Sequence, residues 1–170
     1  RGVDRLVRIA WELKRMDAYK IVFVICGRSV DSADYFNKIK RDINALNIDN
    51  YFIFLGHQKE PERMIIMCNT LIRLHRWNNP WGRDIIESLT YGKPVITIGT
   101  YDKFIEDGVN GYLFPEFDAE KIAEKIIFLS EHPEVCEKMR KANIEKAKRL
   151  FDGPTNASKV AAIYDSLIKS

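Results

Sequence analysis

A loop ahead of a short predicted helix carries the side chains best suited to chemistry. The stretch NNPWGRDIIE places a glycine directly before the helix, and three charged residues follow: Arg83, Asp84 and Glu87. The first N–H groups of a helix lack intrahelical acceptors and carry a partial positive charge, so they suit a phosphate group. Gly82 has no side chain, which lets a phosphate approach the backbone closely.

The charged side chains after this glycine extend the interpretation. Arg83 adds a planar fork of cationic donors that matches a phosphate. Glu87 follows about one turn later, on the face of Arg83 or Asp84, and its carboxylate can accept hydrogen bonds from two sugar hydroxyls. The pattern predicts a clamp for a phosphorylated sugar. The alternative is a plain strand-to-helix turn with Arg83 and Glu87 solvated, and one glycine before a helix does not separate the two.

The elements that must position this loop alternate between strands and helices. Apolar β-branched runs predict strands, and apolar residues three and four apart predict helices. Such strands with helical crossovers indicate a doubly wound α/β domain, a parallel sheet with helices on both faces. Asp118 and Thr155 are the predicted N-caps of two closing helices. The predicted strands are 20–26, 51–56, 70–74, 94–99 and 111–114, and the predicted helices are 2–16, 32–46, 60–67, 82–91, 118–130, 133–150 and 155–170.

Composition narrows the class of protein. The 170 residues are 46% hydrophobic and 30% charged, which is typical of one globular domain over 1–170. A formal net charge of +3 gives no argument for nucleic acid. The three histidines have no metal-ligand spacing, so no metal is expected. The three cysteines, Cys26, Cys68 and Cys136, are interpreted as buried free thiols in a reducing compartment.

A series of motifs in a fixed order resembles one enzyme family. The motifs are GVDRLV, IVFVICG, YFIFLG, NPWGRDIIESLTYGKPVI, DKFIEDGVNGYLFPEFDAEKIAEKI, LFD and AAIYDSLI. Their order is similar to that in the C-terminal, donor-binding domain of family 4 retaining glycosyltransferases. Those enzymes have two Rossmann-like domains, the GT-B fold. The resemblance covers nearly the whole chain and is most specific at residues 79–95 and 106–118.

The resemblance implies roles for individual residues. Glu87 stands where the family has the glutamate that binds the ribose hydroxyls of the nucleotide-sugar donor. Asn79 stands where the family has a glutamate that contacts the transferred sugar. Asparagine donates and accepts hydrogen bonds but carries no charge, so donor-sugar choice and activity depend on this departure. The resemblance also implies diphosphate contacts for Gly82, Arg83, Asp84 and Arg1, and places Gly27, Arg28 and His57 near the nucleotide base.

The implied activity is retaining transfer of a hexose to a glycan, lipid or other acceptor, in polysaccharide biosynthesis. The donor is a nucleoside-diphosphate sugar, and no cofactor or metal is implied, because helix dipole, backbone donors and cations stabilise the departing diphosphate. The acceptor would bind mainly to an N-terminal domain that precedes this chain. Two alternatives stay open: a nucleotide-sugar-binding module without transferase activity, favoured by Asn79, and another GT-B enzyme such as a sugar-nucleotide epimerase.

Three structural expectations complete the sequence interpretation. The family's first strand, absent here, lies between the strands matching 20–26 and 70–74, so both should expose unpaired edges. The basic run 137–149 is expected to be a solvated helix face. Its alternative role is contact with a membrane surface. We expect the protein to be cytoplasmic, either free in the cytoplasm or at the inner face of a membrane. The last helix is expected to pack on the acceptor domain and to leave five residues exposed here: Ala161, Ile163, Tyr164, Leu167 and Ile168.

Overall fold

Helices and strands alternate along the chain from α1 to β4, as predicted. The computed structural model describes residues 2–27 and 33–168. The predicted α/β class with parallel strands is confirmed. The helices are Val3–Arg15 (α1), Ala33–Leu46 (α2), Pro61–Met67 (α3), Arg83–Thr90 (α4), Ala119–Glu131 (α5), Pro133–Phe151 (α6) and Gly153–Ile168 (α7). The strands are Phe23–Cys26 (β1), Phe52–Gly56 (β2), Leu71–Arg73 (β3), Val95–Ile98 (β4) and Gly111–Phe114 (β5).

The strands form two parallel sheets instead of one. β1 pairs with β2, and β3, β4 and β5 pair in that order. In the described part of the chain, no backbone pairing joins β1 to β3. An open groove lies between these two strands, and its lining includes Val24 and Cys26 from β1 and Ile72 from β3. The predicted unpaired edges on both strands are therefore confirmed.

One face of the β1–β2 sheet is exposed, although helices were predicted on both faces. Val24, Ile53 and Leu55 are 37%, 47% and 40% exposed. Val24 lies opposite Ile53 in the parallel register, so these side chains share a face. Phe23 and Phe52, on the other face, belong to the main core. An apolar run indicates that a strand is buried, but it does not show which of its faces receives a helix.

Two apolar cores hold the elements together. The larger core joins α1, α2 and α5 to the sheets, with Ile9, Leu13 and Ile96 fully buried. The smaller core combines Ile85, Leu89, Val95, Ile105 and Ala147. Ile85 and Leu89 are four residues apart on α4, so one face of this helix is fixed against β4 and α6. This second core sets the position of the loop and the helix start that precede it.

The basic run 137–149 is only partly solvated, which corrects the sequence interpretation. Within α6, Met139, Asn143, Lys146 and Ala147 are buried. The Lys146 ammonium group contacts a carboxylate oxygen of Glu106 at 2.5 Å. From sequence alone, polar residues on a helix are expected to face water, but they can be buried where another segment supplies hydrogen-bonding groups to them. Here that segment is the loop between β4 and β5.

One of the two predicted helix N-caps is confirmed and the other is wrong. Asp118 caps α5 by accepting from the Lys121 N–H at 3.1 Å, as predicted. The predicted cap Thr155 is wrong: α7 begins at Gly153, and the Asp152 carboxylate accepts from the Thr155 N–H at 2.9 Å.

The three cysteines are free, as predicted, but none is fully buried: Cys26 is exposed at the groove, and Cys68 and Cys136 are half-buried.

The last helix exposes its apolar residues. All of the described α7 side chains are exposed, including the five predicted to be so. Ile163, Tyr164, Leu167 and Ile168 form an apolar surface of a kind that monomeric proteins rarely leave uncovered. The predicted exposure is confirmed. None of the helices among the described residues is long and apolar enough to cross a membrane.

We expect residues 1–170, produced alone, to self-associate. Unpaired strand edges beside an exposed apolar face are templates for further strand pairing. Size-exclusion chromatography with light scattering measures the association. Val24→Lys, which places a charge on the β1 edge, should reduce it more than the matched Val109→Lys in the loop between β4 and β5. A monomeric wild-type fragment at high protein concentration would contradict this expectation.

Candidate functional site

Helix α4 begins with two unoccupied backbone donors. Gly82 is its N-cap, and the Gly82 carbonyl accepts from the N–H groups of Ile85 and Ile86 at 3.0 and 3.1 Å. Among the described residues, no acceptor contacts the N–H groups of Arg83 or Asp84. These two donors lie at the positive end of the helix, where an anion is stabilised. The predicted helix start after Gly82 is confirmed.

Arg83 and Glu87 share one face of α4, as predicted from their spacing. The Arg83 Nε lies 3.1 Å from a Glu87 carboxylate oxygen, and the two side chains are 82% and 30% exposed. An exposed pair of this kind contributes at most about 1 kcal/mol to stability. Little free energy is therefore lost when either group turns to a ligand.

A second ion pair, which sequence analysis missed, lies beneath the first turn of α4. Arg73 at the end of β3 places its Nη1 at 2.5 Å from both carboxylate oxygens of Asp84. A Cβ added to Gly82 would lie 2.7 Å from that Nη1 and 2.6 Å from Asp84 Oδ1. The glycine at position 82 thus leaves room for this pair, and a larger side chain there would have to displace the Arg73 and Asp84 end groups. The sequence signal that could have indicated this ion pair is the arginine within the otherwise apolar strand sequence TLIRL.

The loop before α4 is fixed to the loop after β4. The Asn78 amide donates to Thr100 Oγ1 at 2.7 Å and accepts from the Thr100 N–H at 2.9 Å. Gly99 has φ +149° and leaves no room for a Cβ, which would lie 2.6 Å from the Pro80 ring. The neighbouring Asn79 is half-buried, and its side-chain oxygen is buried with no hydrogen-bond partner among the described residues. A rigid loop therefore holds an unused acceptor close to α4.

Aromatic residues line an open cleft beside this loop. Trp81, Tyr101 and Phe104 contact one another in series, with ring centroids 6.3 and 5.8 Å apart across Phe104. Trp81 thus has a packing partner while remaining largely exposed at the cleft, whereas Trp77 is exposed without forming part of the cleft lining. The cleft lining also includes Asn78 and Pro80, the two sequence neighbours of the predicted sugar contact Asn79.

The residues predicted near the nucleotide base form a separate group. The Gly27 N–H donates to the Gly56 carbonyl at 2.8 Å, which joins the ends of β1 and β2, and His57 follows in an exposed position. No hydrogen bond or ion pair among the described residues links this group to α4. The predicted contacts Arg1 and Arg28 lie outside the described residues. The described side chains contain no cluster of His, Cys, Asp or Glu arranged to hold a metal.

Comparison with known proteins identifies the family. Residues 1–146 match the family described as Glycosyl transferases group 1. The chain belongs to this family. The resemblance inferred from the sequence motifs is thereby confirmed, and these motifs include the α4 helix start and its preceding loop.

One similar curated protein and one similar solved structure are much longer than this chain. A poly(glycerol-phosphate) alpha-glucosyltransferase of Bacillus subtilis is 25% identical over 122 residues, which are 69% of this chain and 18% of that protein. HepE of Anabaena, in complex with UDP-glucose, superposes with a TM-score of 0.74 at 24% identity, covering 86% of this chain and 41% of that chain. The chain spans less than half the length of both proteins.

The second solved structure is itself a domain. The C-terminal domain of LpcC, a glycosyl transferase group 1 protein of Francisella tularensis, superposes with a TM-score of 0.71 at 18% identity. The match covers 89% of this chain and 80% of that chain. At this identity the likeness shows a shared fold.

Proposed function

We propose that this chain is the C-terminal, donor-binding domain of a retaining glycosyltransferase. It would bind a nucleoside-diphosphate sugar and support transfer of a hexose to a glycan, lipid or other acceptor. The observation that carries the proposal is the pair of unoccupied N–H groups on Arg83 and Asp84, beside the Arg83–Glu87 pair, in a member of this family. The UDP-glucose bound to HepE supports uridine diphosphate as the nucleotide.

Each group at the start of α4 has a proposed role in binding and catalysis. The two N–H groups and the Arg83 guanidinium stabilise the negative charge that develops on the departing diphosphate. Glu87 accepts hydrogen bonds from the ribose hydroxyls. Asn79 is the proposed contact for a hydroxyl of the transferred sugar, and its buried side-chain oxygen must become accessible for that contact. The backbone N–H groups at the helix start and the Arg83 guanidinium take the place that a divalent metal has in other phosphate sites, so we propose no metal.

The acceptor and the other half of the cleft belong to the N-terminal domain in this proposal. The exposed apolar surface of α7 supports contact with that domain. The name of the Bacillus relative supports a polymer acceptor and a role in polysaccharide biosynthesis. We propose a cytoplasmic location, with the exposed basic residues of α6 available to a membrane surface.

One alternative is a nucleotide-sugar-binding module without transferase activity. It is favoured by Asn79, which lacks the charge of the glutamate at this place in the resembled family. Incubation of the full-length protein with UDP-glucose and related UDP-hexoses separates the two: release of UDP with acceptor present indicates transfer, and binding without release indicates the module. The family match favours transfer over a sugar-nucleotide epimerase.

Arg83→Ala should weaken UDP binding about tenfold and leave uridine binding unchanged. The reason is that a charged donor contributes roughly 1.5–3 kcal/mol to a hydrogen bond, and the proposed partner of Arg83 is phosphate. Isothermal titration calorimetry of the full-length protein with both ligands provides the measurement. Arg41→Ala, at another exposed arginine, is the control. Equal losses for UDP and uridine would indicate a folding defect, and no loss for UDP would refute the phosphate contact.

A further inference from the structure

The first turn of α4 contains a negative charge that does not suit a phosphate site. Asp84 supplies one of the two unoccupied N–H groups, yet its own carboxylate lies on the same turn and is 41% exposed. One Asp84 oxygen also accepts from the Ile85 N–H at 3.1 Å. An unpaired carboxylate in this position would repel a diphosphate and would compete with it for the helix donors.

Arg73 neutralises the Asp84 carboxylate through a close ion pair. Its side chain is 16% exposed, and its Nη1 contacts both Asp84 oxygens at 2.5 Å. The pair passes through the space that a side chain at position 82 would occupy. The carboxylate is therefore held by Arg73 beside Gly82, while the N–H groups of Arg83 and Asp84 have no acceptor among the described residues.

We propose that Arg73 is a positioning residue for the diphosphate: it neutralises and anchors Asp84, so that the first two N–H groups of α4 stay open to a phosphate. This inference rests on the proposed function of the helix start. It assigns Arg73 no contact with the ligand, since the effect passes through Asp84. The pair also explains why the site tolerates an aspartate next to its phosphate donors.

A double-mutant cycle tests this role. Arg73→Met removes the charge but keeps an apolar stem, and Asp84→Asn removes the opposing charge but keeps the side-chain shape. In the full-length protein, Arg73→Met should weaken UDP binding about tenfold and leave uridine binding unchanged. Asp84→Asn alone should bind UDP at least as tightly as the wild type. The double variant should return to within about threefold of the wild type, because no charge is left to neutralise.

The outcomes separate this inference from the proposed function. Unchanged UDP binding in Arg73→Met, or a lower unfolding temperature as its only effect, would show that the pair serves the fold alone. A double variant as weak as Arg73→Met would show that Arg73 contacts phosphate directly, which overturns the positioning role. Failure of the wild type to bind UDP or any other nucleoside diphosphate would refute the proposed function itself, and this inference with it.

Discussion

Asn143→Ala is expected to lower the free energy of unfolding by about 2–4 kcal/mol, because it disrupts a buried polar network. The Asn143 amide donates to the carbonyls of Lys93 and Asn110, both at 3.0 Å, and its oxygen accepts from the Asn110 amide at 2.9 Å. The Asn110 amide donates to the Phe104 carbonyl as well, and its oxygen accepts from the Glu106 N–H. Each buried group left without a partner costs roughly 1–3 kcal/mol.

This network fixes the loop of the Glu-Asp-Gly-Val-Asn-Gly motif to α6. Urea denaturation of the full-length protein, followed by tryptophan fluorescence, measures the loss. Asn37→Ala on the exposed face of α2 is the matched control and should change stability by less than about 0.5 kcal/mol. A loss below about 1 kcal/mol for Asn143→Ala would show that water replaces the missing side chain.

Local patterns predicted the elements of the fold well because helix and strand periodicity is a local property. The start of α4 was predictable for the same reason: Gly82 and the charged residues after it are neighbours in sequence, and helix geometry alone places Arg83 beside Glu87. The unpaired edges of β1 and β3 were predicted from the family resemblance, but the division into two sheets was not, because no periodicity in β1 or β3 reveals which strand pairs with which.

The features that sequence analysis missed depend on distant segments. The Asn143 side chain meets Asn110 across 33 residues, so Asn143 reads as part of a solvated basic run until the loop between β4 and β5 is placed against α6. Arg73 and Asp84 are 11 residues apart, on a strand and on a helix whose relative position is set by the second apolar core. In both cases a polar side chain is shielded from solvent, fully for Asn143 and largely for Arg73, beside a hydrogen-bonding partner on another segment.

The second large expected effect is a loss of UDP affinity when the contact proposed for Glu87 is removed. Glu87→Gln should weaken UDP binding at least tenfold, because a charge-assisted hydrogen bond is worth roughly 1.5–3 kcal/mol. The variant also removes the partner of Arg83, but the arginine side chain is 82% exposed, so the pair contributes little to folding. The unfolding temperature of the full-length protein should therefore stay unchanged, so that a loss of affinity does not reflect unfolding.

A ligand without the ribose hydroxyls isolates the role of Glu87. Calorimetric titration of wild type and Glu87→Gln with UDP and with its 2′,3′-dideoxy analogue forms a cycle between one side chain and the two hydroxyls. The analogue should bind the two proteins equally, since it offers nothing for the carboxylate to accept. Glu120→Gln on α5 is the control for the substitution itself. If the variant loses affinity equally for both ligands, Glu87 acts through Arg83 or the helix start, and the ribose contact is wrong.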